Sequence, residues 1–496
     1  MRRALLFIAA ALLIGGAHAF TLTVAFTADI VSLNPQTSND LYSHQVNRQI
    51  YDTLVEMTEE LEFRPALAHS WSKVDDVTWE FNLRPGVFFH DGSPFTARDV
   101  KFTLERLVDP AMAAQARFLV AWITDVEVVD DLTVRITTAY PFAPILAHLA
   151  HTATSIMSES AVAAAGDDYG TEVAIGTGPF KFVTWEVASR VVLERNPDWW
   201  GGNVLPEQVV FRPVPEGTVR AIEIEAGGVD IVYILEPTDA RRLEGHRDVV
   251  LAPVMSLSTT YVGFNGQAGA TSNVLVRRAI NHAIDVSTIV DVVFEGTGQR
   301  ATGPIGPNVF GYTADLPSYD YDPERARALL LEAGHGDGLT LQLWVAQQPP
   351  RILIAEIMQA QLAEIGINVE ITVMEWGAYL EATETGTHDM FILGWSTPTA
   401  DADYGLYGLF HSSAIPGSNR TFWSHPRVDE LLDLGRQLPT PEERAAVYAE
   451  AQRLIVEEAP WVFLAVLEDT NAHRSNVSGF VPHPAGHHRL WNVSKD

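Results

Sequence analysis

Between residues 340 and 394 the apolar pattern switches back and forth between two periods. Thr340 to Val345 alternates as a strand does, and Ile352 to Ile365 repeats at helical spacing. After Gly366 the stretch Asn368 to Met374 alternates again, Trp376 to Glu384 is helical, and Met390 to Gly394 is a last apolar strand. Strands joined by helices must lay those helices on a face of their sheet, so this stretch commits the chain to an α/β layer. Its flanks agree. Asn273 to Ile284 and Val286 to Phe294 have helical spacing, and Pro323 opens another helix behind Asp322. Pro426 to Gly435 and Pro441 to Glu458 are further helices, and Trp461 to Val466 is an apolar strand.

The first half mixes the same elements less regularly. The spacing predicts strands at Thr21 to Phe26, Thr78 to Leu83 and Val229 to Leu235, with short ones at Val87 to Phe89 and Tyr261 to Asn265. Asp125 to Thr138 reads as two strands joined at Asp130-Asp131, and Phe180 to Arg195 as a hairpin. Helices are expected over Asp40 to Glu56, Thr96 to Leu107, Ser158 to Ala165 and Glu216 to Ala226. Thr96 and Asp99 stand at capping-box spacing. A chain of 496 residues has room for two to four domains.

The chain begins with Arg2 and Arg3, an unbroken apolar run from Ala4 to Ile14, and Ala17-His18-Ala19. That order is a cleavable export signal, here read as residues 1–19, and the run is too short to span a bilayer. There is no cysteine, which excludes disulfides, thiolate metal sites, a cysteine nucleophile and lipoprotein attachment. With 63 acidic and 33 basic residues the formal charge is −30, which repels nucleic acid and anionic lipid. The expectation is a free periplasmic protein.

A search for catalytic constellations returns little. There is no His-Glu-x-x-His helix and no Gly-x-Ser-x-Gly elbow. Gly176-Thr177-Gly178 lacks the lysine-serine ending of a phosphate loop, and Pro179 removes an amide, so it reads as a turn leading into a strand. Asp401-Ala402-Asp403 lacks the frame of a calcium loop. His487-His488 reads as part of a solvated tail. No metal and no cofactor are expected.

The run Pro65-Ala66-Leu67-Ala68-His69-Ser70-Trp71, then Thr78 to Arg84, Gly86 to Gly92 and Pro94-Phe95-Thr96-Ala97-Arg98-Asp99-Val100, resembles the family 5 extracellular solute-binding proteins. Gly176 to Phe180, Asn196-Pro197-Asp198-Trp199-Trp200, Val276 to Asp285, Tyr321-Asp322-Pro323 and Gly394 to Ser412 extend the resemblance along the chain. It implies an α/β fold of two lobes, a periplasmic-binding-protein type II clamp with the ligand cleft between them. The large lobe would take residues 20–262 with 469–496 returning to it, and the small α/β lobe 263–468. The crossings near Thr260–Asn265 and Leu464–Asp469 would serve as hinge. The implied function is capture of peptides for an inner-membrane ABC permease, by a monomer that is not an enzyme.

Ligand contacts carried over by the resemblance are Thr37, Ser38 and Asn39 after Leu-x-Pro, Tyr261 and Asn265 on the strand entering the small lobe, and Trp395. Peptide binders of this family often place an amine-gripping aspartate three residues after that tryptophan. Pro398 stands there, which turns attention to Asp401 and Asp403. The surrounding Trp-Ser-Thr-x-Thr-x-Asp-Ala-Asp-Tyr pattern resembles the glutathione or general-peptide branch. The carboxylate-gripping arginine has two candidates, Arg351 and Arg420. Alternative readings are the same clamp holding glutathione, an oligosaccharide or a metal chelate, the twelve tryptophans suiting sugar stacking, and a secreted hydrolase.

Overall fold

The computed structural model describes residues 20–112 and 114–496. The export signal read at 1–19 lies outside the described residues. Two long antiparallel strands organise the fold, Val249–Phe264 and Trp461–Arg474, paired from Val249 opposite Arg474 to Gly263 opposite Trp461. At 16 residues the first spans about 50 Å at the usual rise per residue. Both pass through register shifts between Met255 and Tyr261. The sequence pattern marked only their apolar ends. Pro253 and the pair Glu468-Asp469 interrupt the alternation, and pairing with a partner two hundred residues away carries the strands through it.

One eleven-stranded sheet is built around this pair, with the short strand Gly298–Arg300 paired on Trp461–Arg474 outside the main order. On one flank stand Met390–Ser396, Leu339–Ala346 and Ile367–Met374. On the other stand Ile231–Val232, Thr21–Phe26, Gln208–Pro213, Arg190–Arg195 and Phe180–Glu186. Each flank has its own core. Leu341, Leu343 and Ile392 meet Ile354, Met358 and Leu362 of the helix Pro349–Ala363 on the first. Leu22, Val24, Leu193, Val209 and Phe211 form the second. A separate four-stranded sheet, Ala68–Lys73, Thr78–Leu83, Thr133–Thr138 and Ile123–Asp130, packs Phe81, Val126 and Val134 on the helix Ala97–Val108. That helix carries the expected capping box of Thr96 and Asp99. The molecule is a two-lobed α/β clamp.

Several elements differ from expectation. The helix expected over Asp40 to Glu56 runs only Leu41–Ile50. Asp40 caps it by accepting from Ser43 N–H at 2.9 Å, and at the far end the Ile50 carbonyl accepts from Gly178 N–H at 2.8 Å. Beyond it Val55–Met57 pairs as a strand with Phe63–Pro65. Val87 to Phe89 makes one isolated bridge, between Phe88 and Pro94. The strand expected over Val229 to Leu235 shortens to Ile231–Val232. His487 and His488 are not a solvated tail: both are buried, His488 against Tyr233 and His487 against His483.

Candidate ligand-binding cleft

The N-terminal half of the helix Leu41–Ile50 lies near the strand Met390–Ser396, Leu41 and Gln45 lining a cavity with Ser396. Just before it, Ser38 is buried with its Oγ unpartnered, and Thr37 is exposed, donating to Ser32 Oγ at 2.9 Å. Asn39 lies beside the Tyr404 hydroxyl, whose pKa burial pushes up to about 12 against the opposing Asn39 hydrogen bond. Tyr404 reaches from its own segment into the core of the four-stranded sheet and is 4% exposed. It stacks on Trp395 at 5.5 Å and on His151 at 5.6 Å, and meets Phe118 at 5.3 Å. Trp395 Nε1 is buried without a partner. So Asn39 and Trp395 come together, bridged by a residue the sequence did not nominate as a contact.

Arg351 stands in the first turn of Pro349–Ala363, over the ring of Trp376 at 5.3 Å. A methyl group at Gly394 would lie 3.7 Å from its Nη2. Burial lowers its pKa, with Tyr379, Tyr261 and Tyr42 close enough to act on it. Its Nη1 is buried with no acceptor, and no carboxylate pairs with it among the described residues. A guanidinium held this way suits an incoming carboxylate, because its planar fork matches one. The alternative cation, Arg420, is already occupied. It donates to the Leu380 carbonyl and Thr383 Oγ1 and pairs with Glu384 at 3.0 Å.

The other nominated residues have structural work that sequence spacing did not reveal. Tyr261 is 1% exposed and stacks on Trp461. Asn265 is buried, donating to the Gly386 and His388 carbonyls and accepting from Gln267 and Ala268 N–H groups. Asp401 accepts from Arg444 Nη2 at 2.7 and 2.9 Å. Asp403 accepts from Arg436 Nε at 2.6 Å, with His148 Nε2 at 2.9 Å. Burial works against the Asp403 carboxylate, yet Arg436 and His148 outweigh it and hold its pKa well below the usual range. Neither aspartate is left to grip an amine. The Asp403 cluster instead ties distant parts of the chain: His148 meets Asp403, and Ala143 N–H donates to the Arg436 carbonyl at 2.8 Å.

Nearer the long strands a small cavity is lined by Leu41, Gln45, Ile234, Ser258, Ser396, Asp469 and the turn Pro484 to Gly486, with His488 behind. Gln45 Oε1 is buried without a partner. Gln45, Ser258, Ser396 and Asp469 escaped sequence reasoning, since polar residues on helix or strand faces carry no local sign that a cavity waits for them. No group of three or more metal-ligating side chains stands together among the described residues.

Several known proteins resemble this chain over nearly its whole length. The glutathione-binding protein GsiB of Pectobacterium atrosepticum is 33% identical over 475 residues, covering 93% of this chain and 91% of that protein. The periplasmic binding protein DppA of Helicobacter pylori, solved with the peptide STSA, superposes with a TM-score of 0.89 at 32% identity, covering 96% of this chain and 98% of that one. A dipeptide-binding protein from Pseudoalteromonas sp. SM9913, solved with Met-Leu, matches with a TM-score of 0.89 at 28% identity, over 96% of this chain and 100% of that one. Residues 62–417 match the profile of the bacterial extracellular solute-binding proteins, family 5 Middle. The chain belongs to that family of solute-binding proteins.

Proposed function

We propose that this protein captures short peptides, glutathione among them, in the periplasm and delivers them to an inner-membrane ABC permease. One observation carries the reading. Unpartnered buried polar atoms stand where the helix Leu41–Ile50 approaches the strand Met390–Ser396, Gln45 Oε1 on the helix, and Arg351 Nη1 and Trp395 Nε1 at the strand. Buried donors and acceptors are nearly always satisfied, and a peptide backbone with a free carboxylate offers both kinds of partner. The similarity to GsiB and to two peptide-bound proteins supports the same cargo class. Arg351 takes the ligand carboxylate, and Trp395 stacks on a peptide plane or side chain.

Capture proceeds by hinge closure of a large lobe, residues 20–262 and 469–496, against a small lobe, 263–468. Such a cycle involves no covalent step, so the protein acts as a binder and not as an enzyme. It works as a monomer released from its signal after Ala19. Native mass spectrometry of the purified mature chain, followed by denaturing release, tests this. Peptide masses or glutathione are expected. A sugar or metal chelate as the sole released species, with no heat of binding for glutathione or trialanine, would overturn the peptide reading.

A further inference from the structure

Ion pairing accounts for the two aspartates nearest the family's usual amine grip, yet the cleft keeps a carboxylate of its own. Asp469 sits on the second long strand opposite Val254 and lines the small cavity with Ser258, Ser396 and Gln45. Among the described residues no side chain or backbone group donates to its carboxylate, and no cation pairs with it. Nothing else lining the cavity can neutralise it. The serines and Gln45 are uncharged, and burial pushes the His488 pKa down to about 3, leaving that ring neutral. The one other charged neighbour, Glu468, repels it.

The placement relative to Arg351 gives this meaning. Gly394 and Ser396 are two apart on one strand, so they face the same side of the sheet, about 7 Å apart. Arg351 lies over Gly394, while Ser396 lines the cavity with Asp469. Across the cleft, Tyr42 acts on Arg351 and its neighbour Leu41 lines the cavity. One helix start and one strand thus face two opposite charges, neither with a protein partner.

We propose that Asp469 receives the ammonium group of the ligand while Arg351 receives a carboxylate, so that the cargo is a zwitterionic peptide with a free amine. The inference rests on the peptide-capture reading of the same cleft. It moves the amine grip from the small-lobe segment that carries Pro398 to a long strand shared by both lobes. The two poles are then engaged together as the lobes meet, which favours cargo carrying both charges. Burial, and then Glu468, push the Asp469 pKa up to about 7, as fits a carboxylate that ionises fully only when an ammonium arrives.

Calorimetry with trialanine, glutathione and their N-acetylated forms tests the assignment. The wild type is expected to favour each free amine by about tenfold or more, the range for a buried charged hydrogen bond. Asp469→Asn and Asp469→Ser are expected to lose that preference to within about twofold, and Glu468→Gln to keep it. Asp469 is partly exposed and its carboxylate makes no hydrogen bond or ion pair among the described residues, so unliganded melting temperatures of the two Asp469 variants should match the wild type to within a few degrees. A preference retained in both variants would overturn the assignment and leave peptide capture standing. Unfolding of both variants would overturn it too, since the carboxylate would then be structural. A wild type that binds none of the four probes would overturn the peptide reading and this inference with it.

Discussion

Removing the Asp401 carboxylate strands the Arg444 guanidinium in the interior, where burial already opposes its charge and Asp401 compensates. Asp401→Asn is therefore expected to cost about 3–5 kcal/mol, visible as a lower urea midpoint. Arg351→Met should behave in the opposite way. Its guanidinium pairs with no carboxylate among the described residues, so the unliganded variant should be at least as stable as the wild type. Glutathione affinity should fall by about 10–100-fold, the worth of a charged hydrogen bond, and the rise in melting temperature at a fixed glutathione concentration should shrink accordingly. Arg444 and Arg351 thus part into a structural and a ligand-facing role by what surrounds each one.

At the level of elements, the helix Leu41–Ile50 sets the cleft, carrying Leu41, Tyr42 and Gln45 toward it. Its end is held by the turn at Gly176 and Gly178. A Cβ at Gly178 would stand 2.6 Å from the Ile50 carbonyl, and one at Gly176 closer still. Backbone cannot yield as a flexible side chain can, so Gly176→Ala should displace the helix. We expect a loss of stability of about 1–3 kcal/mol, the range for overpacking, together with weaker ligand binding. The turn at Gly176-Thr177-Gly178 was legible in the sequence, but not the reason for its glycines, because Ile50 is over a hundred residues away. Helix starts were legible where a capping residue stands beside the chain it caps, as with Thr96 and Asp99.

Across the whole molecule, burial holds many histidines neutral. His44 and His388 are pushed down to about 4, His483 and His488 to about 3, and His151 and His487 well below the ordinary value, all first by burial. A group whose folded pKa is depressed binds its proton more readily when unfolded. Stability from these histidines is present above about pH 6.5 and is lost as pH falls toward 4. Asp52 and Asp469 oppose this, since burial raises them to about 6 and about 7, and their contribution is lost as pH rises through those values. His90, also pushed down to about 4 by burial, joins the six, and Asp99, raised by burial, joins the two carboxylates; seven histidines outweigh three carboxylates, so the urea midpoint should rise with pH between about 4 and 6.5. A midpoint that is flat or falling there would refute this balance. Closure is a property of the same scale: the radius of gyration from X-ray scattering should fall when glutathione is added.

The sequence by itself determined the alternation of helices and strands in residues 340–394, the capped helices, and motifs specific enough to name the family. These are local properties, because period, capping and turn chemistry act over a few residues. It also carried the absence of cysteine and the acidity, which narrow function without pointing to a cleft. Only the tertiary structure decided the length of the two long strands, which depend on pairing between residues two hundred apart. Only it separated Asp401 and Asp403, neutralised by Arg444 and Arg436, from Asp469, which no cation pairs with among the described residues. A carboxylate is the same in any sequence. Whether it is structural or free to meet a ligand depends on the charges and burial that folding brings to it.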